Sequence, residues 1–142
     1  MGAGDLRRPR AVLGRPEAVG AFREAGRALF EMAIVTGSEG NLSTFDGAVL
    51  RITRTGSELG SLADEDVLEG PLDHPPAGSS SDLDVHRRIY RERGPGAVAH
   101  AHPPGTVPDR IPESGAHGVY AFGRSLAAAV AEAGRQARES SA

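Results

Sequence analysis

His100 and His102 stand two residues apart near the end of the stretch Gly96 to Pro104, which reads Gly-Ala-Val-Ala-His-Ala-His-Pro-Pro. An apolar run closed by a double proline reads as a buried strand. Side chains two apart on a strand point to the same face. Both imidazoles therefore look one way from the strand's carboxyl end, where α/β proteins usually place ligand sites. Two neutral imidazoles side by side are half of a divalent-metal site, and three with an open fourth position are a catalytic zinc arrangement. His117, at the entry of a second strand, is the candidate third ligand. The same residues also fit ordinary core or rim histidines satisfied by hydrogen bonds.

Three further stretches could do chemistry. Gly37-Ser-Glu-Gly-Asn-Leu-Ser43 and Thr53-Arg-Thr-Gly-Ser57 are glycine- and hydroxyl-rich turns at the ends of paired strands. Their backbone N–H and hydroxyl donors could form an anion pocket, although the same residues are common turn formers. Asp82 lies in the first turn of a helix, four residues before His86. It is either a carboxylate aimed at a metal or a first-turn complement to the helix dipole. His74 precedes two prolines and has no partner at ligand spacing, so it is expected to face solvent.

Composition narrows the chemistry. The chain has no cysteine, which removes disulfides, thiolate nucleophiles and sulfur-ligated zinc. All 16 basic residues are arginine. Schiff-base catalysis, pyridoxal-phosphate attachment and a P-loop lysine are thereby excluded. Carbonyl or carbanion chemistry would have to rely on a metal, histidine, carboxylates, hydroxyls or backbone groups. A net charge of −3 without a basic patch gives no sign of nucleic acid binding, and no apolar run suits a membrane span. The basic N-terminus lacks an apolar core, so it does not read as a secretory signal, and a cytoplasmic protein is expected.

The elements that must position these residues follow from periodicity and punctuation. Residues 1–15 read as a flexible arm, 16–138 as one domain and 139–142 as a tail. Pro16 to Val35 reads as an amphipathic helix, with Val19, Phe22, Leu29, Phe30 and Ala33 at helical spacing and Gly37 placed to end it. Asp46-Gly47 signals a hairpin that returns through Ala48 to Thr53, with Leu50 and Ile52 on one face. Ser61 to Asp66 is a capped helical turn, and Val67 to Glu69 a short strand. Ser81 can cap a helix from about Asp82 to Arg93, with Val85, Ile89 and Leu83 as its buried stripe. A proline-rich loop from 103 to 114 separates the His100 strand from Gly115 to Gly123. Ser125 caps a last helix with Leu126, Ala129, Val130 and Ala133 inward, and the chain reads as polar from Arg135. The order predicts an α/β (α+β-like) domain with one central mixed β-sheet covered by helices.

In their order these motifs resemble the class II aldolase/adducin family, over Pro16 to about Ala133. A Gly-Asn-x-Ser turn is matched by Gly40-Asn41-Leu42-Ser43, and a Thr-x-Gly turn by Thr53-Arg54-Thr55-Gly56. Ser80-Ser81-Asp82 is similar to the family's Ser-Ser-Glu, with the acid one methylene shorter. His100 and His102 match its His-x-His, and His117-Gly118 its later His-Gly. The resemblance implies that Asn41, Thr55, Gly56, Ser80 and Ser81 bind a substrate phosphate. It implies Zn²⁺, or another divalent metal, on His100, His102 and His117, and a proton-transferring Asp82. One departure is marked: only residues 103–116 separate the second and third histidines, none of them tyrosine. Family members have a longer insertion there with an acid tyrosine, whose place neither Tyr90 nor Tyr120 takes. The C-terminal helices are also shorter than the family's.

The function so implied is a zinc-dependent aldehyde-lyase. It would act on a small sugar phosphate, a fuculose-phosphate-like ketose 1-phosphate, through a metal-stabilised enediolate. Two alternatives are a sugar-phosphate epimerase or dehydratase on the same scaffold, and a non-catalytic, adducin-like module. Family enzymes are homo-oligomers, usually tetramers, so the same is expected here.

Overall fold

The computed structural model describes residues 12–13, 16–80, 82–103 and 118–140. Among these residues, six strands form one sheet: β1 (Val12–Leu13), β2 (Asn41–Phe45), β3 (Val49–Thr53), β4 (Val67–Pro71), β5 (Gly96–Ala101) and β6 (Val119–Gly123). Three helices accompany them: α1 (Pro16–Glu31), α2 (Leu83–Arg93) and α3 (Leu126–Ser140). The spatial order is β1-β4-β3-β2-β5-β6. Every neighbouring pair is antiparallel, which corrects the expected mixed sheet. A helix between two strands often marks a parallel crossover. Here α2 instead delivers β5 beside β2, running against it, so no parallel pair arises. Val12–Leu13, inside the stretch read as an arm, pairs with Glu69 and Leu68 at the sheet edge.

The β2–β3 hairpin is closed by Asp46, whose Oδ1 accepts the backbone N–H groups of Ala48 and Val49 at 2.8 and 2.7 Å. Leu50 and Ile52 are fully buried on one face, as their alternation predicts. The expected helical turn resolves into two 3₁₀ turns, Leu59–Ser61 and Asp64–Asp66.

Two helices cover one face of the sheet. α1 contributes Val19, Phe22, Ala25 and Leu29, and α3 contributes Leu126, Ala129, Val130, Ala133 and Ala137. They meet Leu42 of β2, Ala97, Ala99 and Ala101 of β5, and Ala121 of β6. Alternate alanines on β5 let α3 lie close to the sheet. Gly123 shows how close, because a Cβ there would fall 2.5 Å from the Ala129 nitrogen. The polar reading from Arg135 is corrected: α3 runs on to Ser140 with Ala137 buried, and Arg135 pairs with Glu132 and Glu139 on its outer side. Ser125 caps α3, its Oγ accepting from the Ala128 N–H at 3.1 Å.

The end of α1 also differs from expectation. The helix stops at Glu31 rather than Val35. The left-handed residue that ends it is Ala33, with φ 60°; Gly37, also left-handed at φ 53°, lies beyond the helix. The Ala33 N–H bonds to the Phe30 carbonyl and the Ile34 N–H to the Leu29 carbonyl, which satisfies the last helical acceptors. Phe30 is consequently 53% exposed, and Ile34 is buried in its stead.

On the other face lies α2, against Phe45, Leu50, Ile52, Val98, Tyr120 and Phe122. Its buried side chains are His86 and Tyr90. Val85, Ile89 and Leu83, the expected stripe, are only half-buried. The helix is rotated so that a polar pair, four residues apart, faces the sheet.

Candidate functional site

The candidate motifs meet because the sheet and one loop bring them together. In the β2–β5 ladder, Asn41 lies directly opposite His100. The Gly40 turn can approach β5 only because it lacks a side chain. Its φ is +83°, and a Cβ there would fall 2.6 Å from the His100 carbonyl oxygen. The Thr53–Gly56 turn is tied to the segment before α2. The Ser80 N–H bonds to the Thr53 carbonyl at 3.1 Å, and the Thr55 N–H to the Gly78 carbonyl at 2.8 Å.

The result is a cavity of about 310 Å³ lined by Asn41, Thr55, Gly56, Ser80, Asp82 and His102, with Ser38, Glu39, Gly40 and Arg54. Asn41 and Ser80 are buried at its floor, while Thr55 and Gly56 are exposed at its rim. Ser81 and His117 lie outside the described residues. His74 is exposed, as expected.

His100 is fully buried directly behind Asp82. Its Nδ1 donates to the Val119 carbonyl at 2.9 Å, which in the neutral ring leaves Nε2 as the basic nitrogen. Nε2 lies 3.5 Å from Asp82 Oδ2. A basic nitrogen facing a carboxylate oxygen favours a proton or a cation between them. The Tyr120 ring stacks on His100 at 3.9 Å and 10°, fixing its plane. The His102 ring centre is 4.6 Å from that of His100, and the His102 N–H is held by the Ile34 carbonyl at 2.8 Å. Imidazole with its far N–H on a backbone carbonyl, a second imidazole and a carboxylate form a donor set suited to a divalent ion. Among the described residues, no group of three or more His, Asp or Glu already stands in metal-holding geometry.

Asp82 is gripped from the sheet. Asn41 Nδ2 donates to its Oδ2 at 2.7 Å, and its backbone N–H reaches Ser80 Oγ at 3.3 Å. Behind Asn41 is a layer that the motifs did not reveal. Asn41 Oδ1 contacts His86 Nε2, His86 Nδ1 is 2.6 Å from Ser43 Oγ, and Ser43 Oγ is 2.7 Å from Tyr90 OH. Burial holds the His86 imidazole neutral, with its pKa lowered to about 3. The available signal was the spacing of Asp82, His86 and Tyr90, four apart along one side of α2, opposite the polar alternate residues of β2.

Arg54 is a second addition. Among the described residues it is the one arginine on the cavity lining, held by the Glu65 carbonyl at 3.1 and 2.5 Å. Glu39, its acidic neighbour on the lining, accepts from the Thr36 hydroxyl at 2.9 Å.

The profile of the Class II Aldolase and Adducin N-terminal domain matches residues 21–108, more than half of the chain and every described residue of the cavity. The chain belongs to the class II aldolase/adducin family. Within it, the chain is 40% identical over 88 residues to a methylthioribulose-1-phosphate dehydratase from Bradyrhizobium sp., a match covering 60% of this chain and 41% of that protein. It is 37% identical over 84 residues to an L-fuculose phosphate aldolase from Methanocaldococcus jannaschii, covering 57% and 46% respectively. The chain thus matches less than half the length of these relatives. Among solved structures, L-fuculose-1-phosphate aldolase from Thermus thermophilus superimposes with TM-score 0.58 at 39% identity, over 63% of this chain and 47% of that one. YgbL from Klebsiella pneumoniae superimposes more extensively, with TM-score 0.68 over 89% and 90% of the two chains. At 22% identity it speaks for the class II aldolase fold alone. Among the described residues, no helix is long and apolar enough to cross a membrane.

Proposed function

We propose that the cavity is the active site of a metal-dependent lyase acting on a small ketose 1-phosphate of the fuculose-phosphate kind. The observation that carries this reading is the convergence of Asn41, Thr55, Gly56, Ser80, Asp82 and His102 on one polar cavity, with His100 immediately behind. The phosphate sits toward the rim. The Thr55 hydroxyl, the Gly56 backbone, and the Ser80 and Ser81 hydroxyls donate to its oxygens, and the second Nδ2 hydrogen of Asn41 reaches it from the floor. Arg54 supplies the counter-charge, in a chain with no lysine to do so.

His100, His102 and His117 hold the divalent ion, zinc first. When bound, such an ion polarises the substrate's carbonyl and hydroxyl oxygens. Asp82 moves the proton at its carboxylate oxygens, held in place by Asn41. The absence of lysine agrees with this reading, because it removes the imine route to carbon–carbon cleavage. The protein acts in this reading as a homo-oligomer.

Elemental analysis of the purified protein and of His117→Ala tests the metal. Close to one zinc per chain is expected in the parent, with loss in the variant. A panel of ketose 1-phosphates, assayed for aldehyde release with and without chelator, tests the reaction. A parent without metal, or cleavage indifferent to chelator, overturns the reading. The 40% identity to a sugar-phosphate dehydratase favours water loss as the second reading, and the same panel followed for water loss distinguishes the two.

A further inference from the structure

His86 is fully buried, touches no cavity surface and has no part in the reaction outlined above. Its contacts nevertheless fix the hydrogen-bond direction of everything between α2 and Asp82. A carboxylate at neutral pH only accepts hydrogen bonds. The Asn41 atom 2.7 Å from Asp82 Oδ2 must therefore be Nδ2. The other end of the amide, Oδ1, then faces His86 Nε2, and an oxygen there requires the ring to carry its proton on Nε2. A neutral imidazole has one N–H, so Nδ1 must accept. The group that gives to it is the Ser43 hydroxyl at 2.6 Å. Ser43 Oγ in turn accepts from Tyr90 OH at 2.7 Å. Only one arrangement satisfies all five groups. With the proton on Nδ1 instead, the Asn41 amide would turn over and set its oxygen against the Asp82 carboxylate.

We propose that His86 is a positioning residue. Held as its Nε2–H tautomer by the Ser43 hydroxyl, it locks the Asn41 amide with an N–H toward Asp82 and so aims the carboxylate at His100 and the cavity. The consequence for turnover rests on Asp82 being the proton carrier, as proposed above. The locking of Asn41 does not.

Two substitutions separate the two ends of the ring. Glutamine places an amide near the Nε2 position and can still donate to Asn41. Asparagine places one near Nδ1 and cannot. The protein is labelled with ¹⁵N, and the His86 ring and Asn41 side-chain amide are followed by NMR. The parent is expected to show the Nε2–H tautomer and an Asn41 amide proton slow to exchange with water. His86→Gln keeps that protection and His86→Asn loses it. In steady-state assays, His86→Asn lowers kcat by about tenfold or more with KM little changed, as loss of one oriented charge-assisted hydrogen bond implies, while His86→Gln stays near the parent. An Nδ1–H tautomer in the parent overturns the proposal, and that measurement needs no variant to fold. So does an Asn41 amide indifferent to His86→Asn, or a His86→Gln variant that loses the protection as fully as His86→Asn. If the parent turns over no sugar phosphate, the proposed reaction fails, while the tautomer and the Asn41 exchange still decide this proposal.

Discussion

Neighbouring residues of β2 live in two different environments. Leu42 turns to α1 and α3 and is surrounded by Val19, Phe22, Leu29 and the alanines of β5 and β6. Asn41 and Ser43, on either side of it, turn to α2 and meet His86, Tyr90 and Asp82. Burial is alike, at 4% exposure or less for all three. The first face asks only for apolar volume, which gains stability without direction. The second asks that every donor find its acceptor. It offers less net stability per contact, but it orients groups, because an unmatched buried polar atom is costly. The cavity opens on the second face, where orientation matters.

The largest effect expected from this difference is on the apolar face. Phe22→Ala empties a fully buried aromatic site between α1 and the sheet, at a cost of about 3–5 kcal/mol. That is a large part of the stability of an ordinary domain. Chemical denaturation should show the loss, while the folded fraction keeps the contacts of the polar face. A Phe22→Ala protein as stable as the parent would mean that this face does not carry the fold.

The polar face should reveal itself through pH. Burial, and then the nearby His100, hold the His86 pKa down at about 3 against a usual 6.5, with Asp82 opposing. Above pH 6.5 the ring is neutral in both the folded and the unfolded chain. Between 6.5 and 3 the unfolded chain binds a proton that the folded one refuses. Stability therefore falls as pH drops through that window, by up to about 1.4 kcal/mol per pH unit from this residue. Denaturation curves collected downward from neutral pH, on the parent and on His86→Gln, isolate the contribution because the other acid-sensitive groups are shared. Parallel pH dependences would remove His86 as its source.

Much of the cavity was readable in the sequence because its residues sit in short motifs whose spacing is itself the signal. His100 and His102 at strand spacing, the Gly40-Asn41 turn and the Ser80 to Asp82 segment were each visible locally, and the hairpin at Asp46-Gly47 was equally plain. The parts that were not readable depend on distant partners. Which side of α2 is buried is decided by Asn41 and Ser43, some forty residues earlier, and they select His86 and Tyr90 over Val85 and Ile89. The antiparallel sense of β5 is decided by its landing beside β2. Arg54 joins the cavity because of where the 3₁₀ turn around Glu65 holds it. Ala33 ends α1 because Ile34 is drawn into the core, against the preference of the backbone for glycine at that conformation.

The smallest predicted effect separates the faces most cleanly. Tyr90→Phe removes one oxygen and almost no volume, so on a face held by shape alone it would be neutral. Burial raises the Tyr90 pKa above its usual 10.0, so the phenol is a standing donor wherever the protein is folded. Losing that donor leaves Ser43 Oγ without the hydrogen bond it accepts at 2.7 Å. The phenylalanine ring still packs on Phe45 and Phe122, as the tyrosine ring does now. The expected cost is about 1 kcal/mol, a fall in Tm of roughly 3–5 °C for a domain of this size. Ser43 still gives its own hydrogen to His86 Nδ1, so the Nε2–H tautomer and the protection of the Asn41 amide should persist. A neutral Tyr90→Phe would mean that α2 is held by packing in the same way as α1 and α3. A loss of Asn41 protection in this variant would mean that Tyr90, and not Ser43, sets the direction of the buried chain.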